Sequence, residues 1–255
     1  MFFKHRALQA EYFDAFDRPA EEVAEGYAML ARINRFFAFA SPFQKFLPQI
    51  LGQENCRSLS LLDLGAGDGS LGDELSRWAA GRGWDWRFTN LDMNIKAMRL
   101  NPAARCIAGS ALALPFRDRS FDVVIASQMT HHLMSDDETR RHFSEAWRVT
   151  RGTLFINDLH RNVVLYAVLW ALLRLCRFPE HFREDGLLSV RRSYRINEWQ
   201  ALCASAGIPG ARVWLYGGAR LILLASRGVI PFRIAASSSL PAATSETTAK
   251  CRAPG

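Results

Sequence analysis

The stretch Leu61-Leu62-Asp63-Leu64-Gly65-Ala66-Gly67-Asp68-Gly69 constrains this chain more than any other. Its apolar start is long enough for a buried strand, it meets an acid, and the turn that follows carries three glycines. Leu71 to Ala80 reads as a helix, so the unit is strand–glycine loop–helix, where open α/β sheets hold a nucleotide. Glycine at alternate positions lets the backbone turn tightly and leaves no side chain between main chain and ligand. Charge then narrows the ligand. A loop built for a diphosphate uses bare amides at a helix N-terminus, and an acid beside it would repel that ligand. Asp63 and Asp68 bracket the turn, which suits a ligand carrying positive groups.

The same loop also satisfies the dinucleotide fingerprint. Gly67, Gly69 and Gly72 give G-x-G-x-x-G, and Asp92 lies 20 residues beyond Gly72, near the distance expected of a ribose-binding acid. The bare pattern therefore does not separate nicotinamide from other adenosyl cofactors. Placement favours the cationic ligand. In the dinucleotide version the first glycine follows the strand at once, a place taken here by Gly65, and Asp63 and Asp68 would face a diphosphate.

A chain of 255 residues, 49% hydrophobic, buries one sizeable core with appendages. The net charge of +7 raises the question of nucleic acid. The cations are nearly all arginine and scattered, and the densest pairs, Arg140-Arg141 and Arg191-Arg192, are not interleaved with stacking aromatics. No nucleic-acid partner is expected. The five cysteines form no C-x-x-C pair, which argues against a disulfide framework and a zinc site. With Lys4, His5 and Arg6 directly after Met1-Phe2-Phe3, no signal peptide is expected, and the compartment reads as cytoplasmic. The apolar run from Val163 to Leu173 is too short to span a bilayer, which needs about 20 residues. It reads as a buried or interfacial helix, the latter implying a transient membrane-surface contact.

The pattern is helical from Glu21 to about Phe46, with a second short helix starting at Ser41-Pro42. Strands and helices then alternate. Strands are expected at Trp86 to Leu91, Ala104 to Ala108, Phe121 to Ala126 and Gly152 to Ile156, with helices at Asn94 to Leu100 and Asp136 to Val149. This alternation predicts a parallel, doubly wound sheet. After a long apolar helix from Arg161 to Cys176, the stretch from Phe178 to Tyr194 reads as an irregular connection. Asn197 to Ala206 is a further helix, and Gly217-Gly218 between two apolar runs signals a hairpin. Five regions follow: an N-terminal helical substrate region over 1–55, a cofactor-binding core over 56–162, an apolar-helix and irregular lid insertion over 163–194, core completion over 195–230, and a disordered tail over 231–255.

With these elements placed, the chain resembles the class I S-adenosylmethionine-dependent methyltransferases over roughly Ser60 to Arg227. The residues that carry the resemblance are Asp63 to Gly69, Asp92, Leu114-Pro115-Phe116-Arg117-Asp118-Arg119-Ser120-Phe121-Asp122-Val123-Val124, and Ser127-Gln128-Met129-Thr130-His131-His132-Leu133. Asn157 to His160 and Ser189 to Tyr194 look like a subgroup found near polyketide and other small-molecule biosynthetic enzymes. The resemblance implies a Rossmann-like seven-stranded, mostly parallel sheet with an antiparallel C-terminal hairpin strand, a helical N-terminal region and an insertion lid. It also implies S-adenosyl-L-methionine as cofactor, held by Asp63, Gly65, Ala66, Gly67, Asp92, Met93, Ser110, Ala111 and Ser127. Asp63 would lie near the ammonium end, and Asp92 would accept both ribose hydroxyls. Where the family usually places an acid for the adenine amino group this chain has Ser110, a weaker acceptor.

Methyl transfer from a sulfonium needs alignment, dryness and, for a hydroxyl acceptor, removal of a proton. Candidate bases are His131, His132 and His160, just beyond strand C-terminal ends, His131 and His160 ahead of His132, with Asp158 able to orient His160 or serve only the turn. His132 is a candidate substrate contact. Tyr166 and Trp170, four apart on the apolar helix, could form one wall of a hydrophobic site, and Phe36, Phe37, Phe39, Phe43 and Phe46 the other. The family resemblance, these bases and these walls predict O-methylation of a phenol or enol in secondary metabolism. Rivals are C- or N-methylation of a quinone-like or lipid acceptor, and a cofactor-binding pseudoenzyme that scaffolds a pathway. No metal is expected.

Overall fold

A computed structural model describes residues 3–228, with the side chains of Arg35 and Phe36 outside the description. The tail expected over 231–255 and the Phe36 ring lie outside the described residues. Seven strands, β1 (Ser58–Leu64), β2 (Asp85–Asp92), β3 (Cys106–Ala108), β4 (Phe121–Ser127), β5 (Thr150–Leu159), β6 (Arg212–Tyr216) and β7 (Arg220–Ser226), form one sheet in the order β3-β2-β1-β4-β5-β7-β6. β1 to β5 pair in parallel, and β7 alone runs against its neighbours β5 and β6. Three residues, Gly217, Gly218 and Ala219, connect β6 to β7, and the first two stand at positive φ, the conformation that matches strand twist in a tight hairpin turn. The doubly wound, mostly parallel sheet with an antiparallel hairpin strand is therefore as expected.

The helices are α1 (Ala20–Phe37), α2 (Ser41–Leu51), α3 (Ser70–Ala80), α4 (Ile95–Met98), α5 (Asp136–Val149), α6 (Val163–Leu175), α7 (Glu180–Arg192) and α8 (Ile196–Ser205). Because β1, β4 and β5 are covered on both sides, they read as continuous apolar runs rather than alternating ones. On one face Leu62, Leu64, Val124 and Leu154 pack on Phe143 and Trp147 of α5 and Trp199 of α8. On the other, Leu61, Val123, Ile125 and Phe155 pack on Phe43 and Leu47 of α2 and Leu75 of α3. A third cluster joins Leu165, Leu169 and Leu173 of α6 to Phe182 and Val190 of α7, with Met29, Ile33 and Phe37 of α1 against it.

Two expectations are corrected here. The connection between Phe178 and Tyr194 is not irregular: α7 occupies 13 of its residues, led in by Pro179. Gly186 in its middle reads as a breaker, yet a Cβ there would stand 3.2 Å from Leu173 Cδ1, so glycine allows α6 and α7 to approach closely. Phe43 and Phe46 do not face a substrate. Their rings lie 5.1 and 6.2 Å from that of Phe155, inside the core beneath β5.

Candidate active site

The glycine loop leaves β1 at its C-terminal end and turns with Gly65, Gly67 and Gly69 at φ values of 70°, 59° and 76°. The amides of Gly65 and Ala66 both donate to the Leu91 carbonyl, at 2.8 and 3.1 Å, which ties the loop to the end of β2. Asp92, the last residue of β2, braces it further, accepting from the Gly67 amide at 2.7 Å through one oxygen and from Asn94 N at 2.7 Å through the other. Asp63 is buried beneath the loop, and its Oδ2 has no hydrogen-bond partner among the described residues. Burial first, and the charge of Asp92 second, push its carboxyl well above the usual range. An orphaned buried carboxyl is costly unless a cation or donor completes it. Asp68, by contrast, accepts from Ser70 N at 3.0 Å and belongs to the start of α3.

Beyond β4 the chain turns through Gln128, a non-glycine at φ 55° whose N–H donates to the Asn157 carbonyl at 2.9 Å. Such a conformation costs about 1–3 kcal/mol and marks a place the surrounding fold dictates. Met129 follows, and its side chain rests on Gly65: a Cβ there would meet Met129 Cγ at 2.2 Å. His131 comes next and is 3% exposed. Its Nδ1 lies 2.6 Å from Asp158 Oδ1 at the end of β5, and its backbone N–H donates to Oδ2 of the same carboxylate at 2.9 Å. The carboxylate partner assigns the proton to Nδ1 and leaves a lone pair on Nε2. Burial raises the Asp158 pKa, but the His131 ring and amide outweigh it and hold the acid below its ordinary range.

Nε2 faces Glu11 Oε1 at 3.9 Å. Glu11 belongs to an N-terminal strap over 6–14 that crosses the histidine pair. Arg6 anchors the strap to the carbonyls of Arg192 and Leu133, at 2.6 and 2.8 Å, and to the Tyr194 hydroxyl. Asp185 of α7 receives the amides of Tyr12 and Phe13, and Ser189 donates to Glu11 Oε1 at 2.9 Å. His132 pairs with Asp14, Nδ1 to Oδ1 2.7 Å. Its burial lowers the ring's pKa, but Glu11 and Asp14 override this and bring it up to about 9. Glu11, His131 and His132 hold ligand-type atoms within 4.8 Å of one another. A cation already serves them, however: Arg192 Nη1 lies 2.5 Å from Asp14 and 3.6 Å from Glu11, and its other nitrogens hold the His131 and His132 carbonyls.

The strand order, the glycine turn and Asp92 together describe a nucleoside-cofactor site at the C-terminal edge of the sheet. Residues 62–156 match the family model described as a methyltransferase domain. The enzyme is an S-adenosylmethionine-dependent methyltransferase. No curated protein matches the chain by sequence. Among solved structures, the plantazolicin methyltransferase BpumL in complex with SAH superposes with a TM-score of 0.62 at 12% identity, over 83% of this chain and 91% of that one. The same protein with a pentazolic desmethylPZN analogue and SAH gives 0.60 at 13% identity, over 81% and 90%. A proposed S-adenosyl-L-methionine-dependent methyltransferase from Methanococcus maripaludis gives 0.57 at 14% identity, over 86% and 97%. At these identities the likeness is one of fold.

The methyltransferase has the features its cofactor requires: a turn with no room for side chains, an acid at the end of β2, and the unpartnered carboxyl of Asp63 beneath them. The remaining expected contacts fall around this turn with different neighbours. Met93 is exposed, Ala111 is buried, and Ser127 Oγ accepts from Asn157 Nδ2 at 3.3 Å. The Ser110 hydroxyl is engaged by the Leu112 amide at 3.2 Å, so it offers little beyond its own turn. Two side chains rest on the loop. The Tyr27 ring of α1 lies where a Cβ on Gly67 would come within 2.5 Å of it, and Met129 covers Gly65 in the same way.

His160 is not part of this group. Asp158 orients His131 instead, while the His160 Nδ1 lies 3.1 Å from Asn162 Nδ2 and its backbone bridges to Tyr194. Burial first, then Arg195 and Arg161, push its pKa down. Tyr166 and Trp170 do not form one wall either: Tyr166 packs edge-on against Phe3 at 5.3 Å, whereas Trp170 is 45% exposed beside the groove between α6 and α7. Phe37 stacks on Phe39 at 6.1 Å and packs on the α6–α7 cluster. Tyr27, Glu11, Asp14 and Arg6 carry no local motif. Tyr27 shares the helical apolar spacing of α1 and reads as core, and Arg192 reads only as half of a basic pair.

Proposed function

We propose that the methyltransferase O-methylates a phenol or enol on a hydrophobic small molecule, as a cytoplasmic enzyme of secondary metabolism. The observation that carries this reading is the Asp158–His131 pair, a buried acceptor of protons two residues beyond the Met129 that touches the cofactor loop. Bound S-adenosylmethionine supplies an activated methyl on a sulfonium. Gly65 and Gly67 give it close backbone contact, Asp92 offers its carboxylate to the ribose, and Asp63 meets the positive end of the ligand. Admission requires Tyr27 and Met129 to swing off the glycines.

His131 takes the hydroxyl proton at Nε2 as the acceptor oxygen attacks, and Asp158 balances the imidazolium that forms. Reaching Nε2 means passing Glu11, so the strap sets the acceptor's path. Protonated His132, paired with Asp14, lends a positive charge to the forming phenolate. The cluster of Leu165, Leu169, Leu173, Met29, Ile33 and Phe37 supports an apolar acceptor rather than a nucleic acid. The four described cysteines are free, in keeping with a reducing compartment. The test is a panel of phenols, enols, amines and quinones with methyl-labelled cofactor. Labelled methyl ethers formed by wild type and lost in His131→Gln are expected; turnover only on amines or carbon would overturn the reading.

A further inference from the structure

One helix face is left over from the fold and from the reaction. Helix α6 buries Leu165, Leu169 and Leu173, but its opposite side exposes Val163, Val164, Val168, Trp170 and Leu175, with Val164 at 73% and Leu175 at 82%. Ala167 and Ala171 fill the space between them. A contiguous apolar patch of this kind on a protein surface often has a functional partner. Helix α6 contains no acid, and its one charge, Arg174, lays its guanidinium over the Trp170 ring at 4.7 Å. Arg177 follows, and Arg32 of α1 comes within 5.9 Å of the neighbouring Phe178 ring, so three arginines gather at the C-terminal end of the strip. Glu180 and Glu184 lie on the other side of Trp170, in the groove toward α7.

We infer that the outer face of α6 seats the enzyme on an anionic membrane surface. The area favours a bilayer over a second copy of the chain. A helix of 13 residues is about 20 Å long and about 10 Å wide, a few hundred square ångströms, whereas a stable dimer buries about 800 Å² per partner. That strip suffices for a helix lying in the interface, apolar side down. It cannot cross: no described helix is long and apolar enough to span a membrane. A Trp ring capped by an arginine is chemistry suited to the headgroup boundary, and neighbouring arginines answer anionic lipid. The seat does not depend on the acceptor proposed above. If both hold, an acceptor dissolved in lipid is presented to an enzyme already seated on its surface.

The test is co-sedimentation of the full chain with vesicles of phosphatidylcholine alone and of equal parts phosphatidylcholine and phosphatidylglycerol. Binding to the mixed vesicles, about tenfold or more above the neutral ones, is expected. Val164→Gln with Val168→Gln adds no charge and should abolish it, while S-adenosylhomocysteine affinity and unfolding temperature stay at wild type. Brominated lipid should quench wild-type fluorescence more than that of Trp170→Phe. Indifference to vesicles, equal binding to both compositions, or binding that survives the double valine variant would each overturn the inference. A concentration-dependent dimer broken by that variant, with no vesicle binding, would assign the face to a second copy.

Discussion

His131 Nδ1 and Asp158 Oδ1 stand 2.6 Å apart, and the same carboxylate takes the His131 backbone amide through its other oxygen. One acid thereby fixes both the position of the β4 loop and the tautomer of its histidine. His131→Gln is expected to lower kcat by about 10²-fold or more, the usual worth of a positioned base. Asp158→Asn should keep the ring but lose the preferred tautomer, with a similar fall in kcat and unchanged cofactor affinity. Steady-state rates across pH check both, and a His131→Gln enzyme of wild-type rate would remove the base.

Asp92 braces the loop and still presents its carboxylate at the end of β2. Charge-assisted hydrogen bonds are worth about 1.5–3 kcal/mol each, so Asp92→Ala should weaken S-adenosylhomocysteine by tenfold or more. Calorimetric titration measures this. The same titration with a nicotinamide dinucleotide should show no tight binding to the wild type, given the buried carboxyl of Asp63 beside the turn.

Gly65 has two reasons to be glycine, and they are separable. Its φ of 70° strains any L side chain, and a Cβ there meets Met129 Cγ at 2.2 Å. Gly65→Ala is expected to lose cofactor binding and about 1–2 kcal/mol of stability. Adding Met129→Ala relieves the clash but not the strained backbone, so thermal stability should recover only in part.

Stability should fall on both sides of neutrality, through different histidines. His132 titrates near 9 when folded against 6.5 otherwise, because Glu11 and Asp14 outweigh its burial. Its contribution is whole below about pH 6.5 and fades as pH climbs through 9. His142 runs the other way: burial in α5 takes its pKa down to about 4, so the folded chain prefers the neutral ring. That contribution is whole above about pH 6.5 and is lost as pH falls toward 4. Unfolding temperature against pH should show both losses, with Asp14→Asn flattening the alkaline side and His142→Gln the acid side.

Arg192 is 1% exposed and counters Glu11 and Asp14 at once. Arg192→Met would strand two carboxylates, and removing one partner of a buried pair costs about 3–5 kcal/mol. Lowered denaturation midpoints and release of the strap to limited proteolysis are the expected readouts.

The cofactor half of this protein was legible from its residues. A parallel sheet covered on both faces writes itself as apolar runs, and a turn that must approach a ligand writes itself as glycines. The turn, Asp92 and the Gly217-Gly218 hairpin all depend on short-range backbone geometry, so local sequence was enough to place them. The pairing of Asp158 was not legible, because whether it serves His160 two residues away or His131 across the sheet is decided by the β4–β5 register. The α7 helix was hidden by Gly186, whose place is set by how closely α6 packs. Glu11, Asp14 and Arg192 meet over separations of up to 181 residues, and such contacts leave no periodic trace in the chain. Sequence alone thus determined the sheet and the glycine turn at the end of its first strand, through local conformation and burial pattern. Only the tertiary structure decided which acid serves which histidine and which face of α6 meets solvent, since both depend on contacts between distant segments.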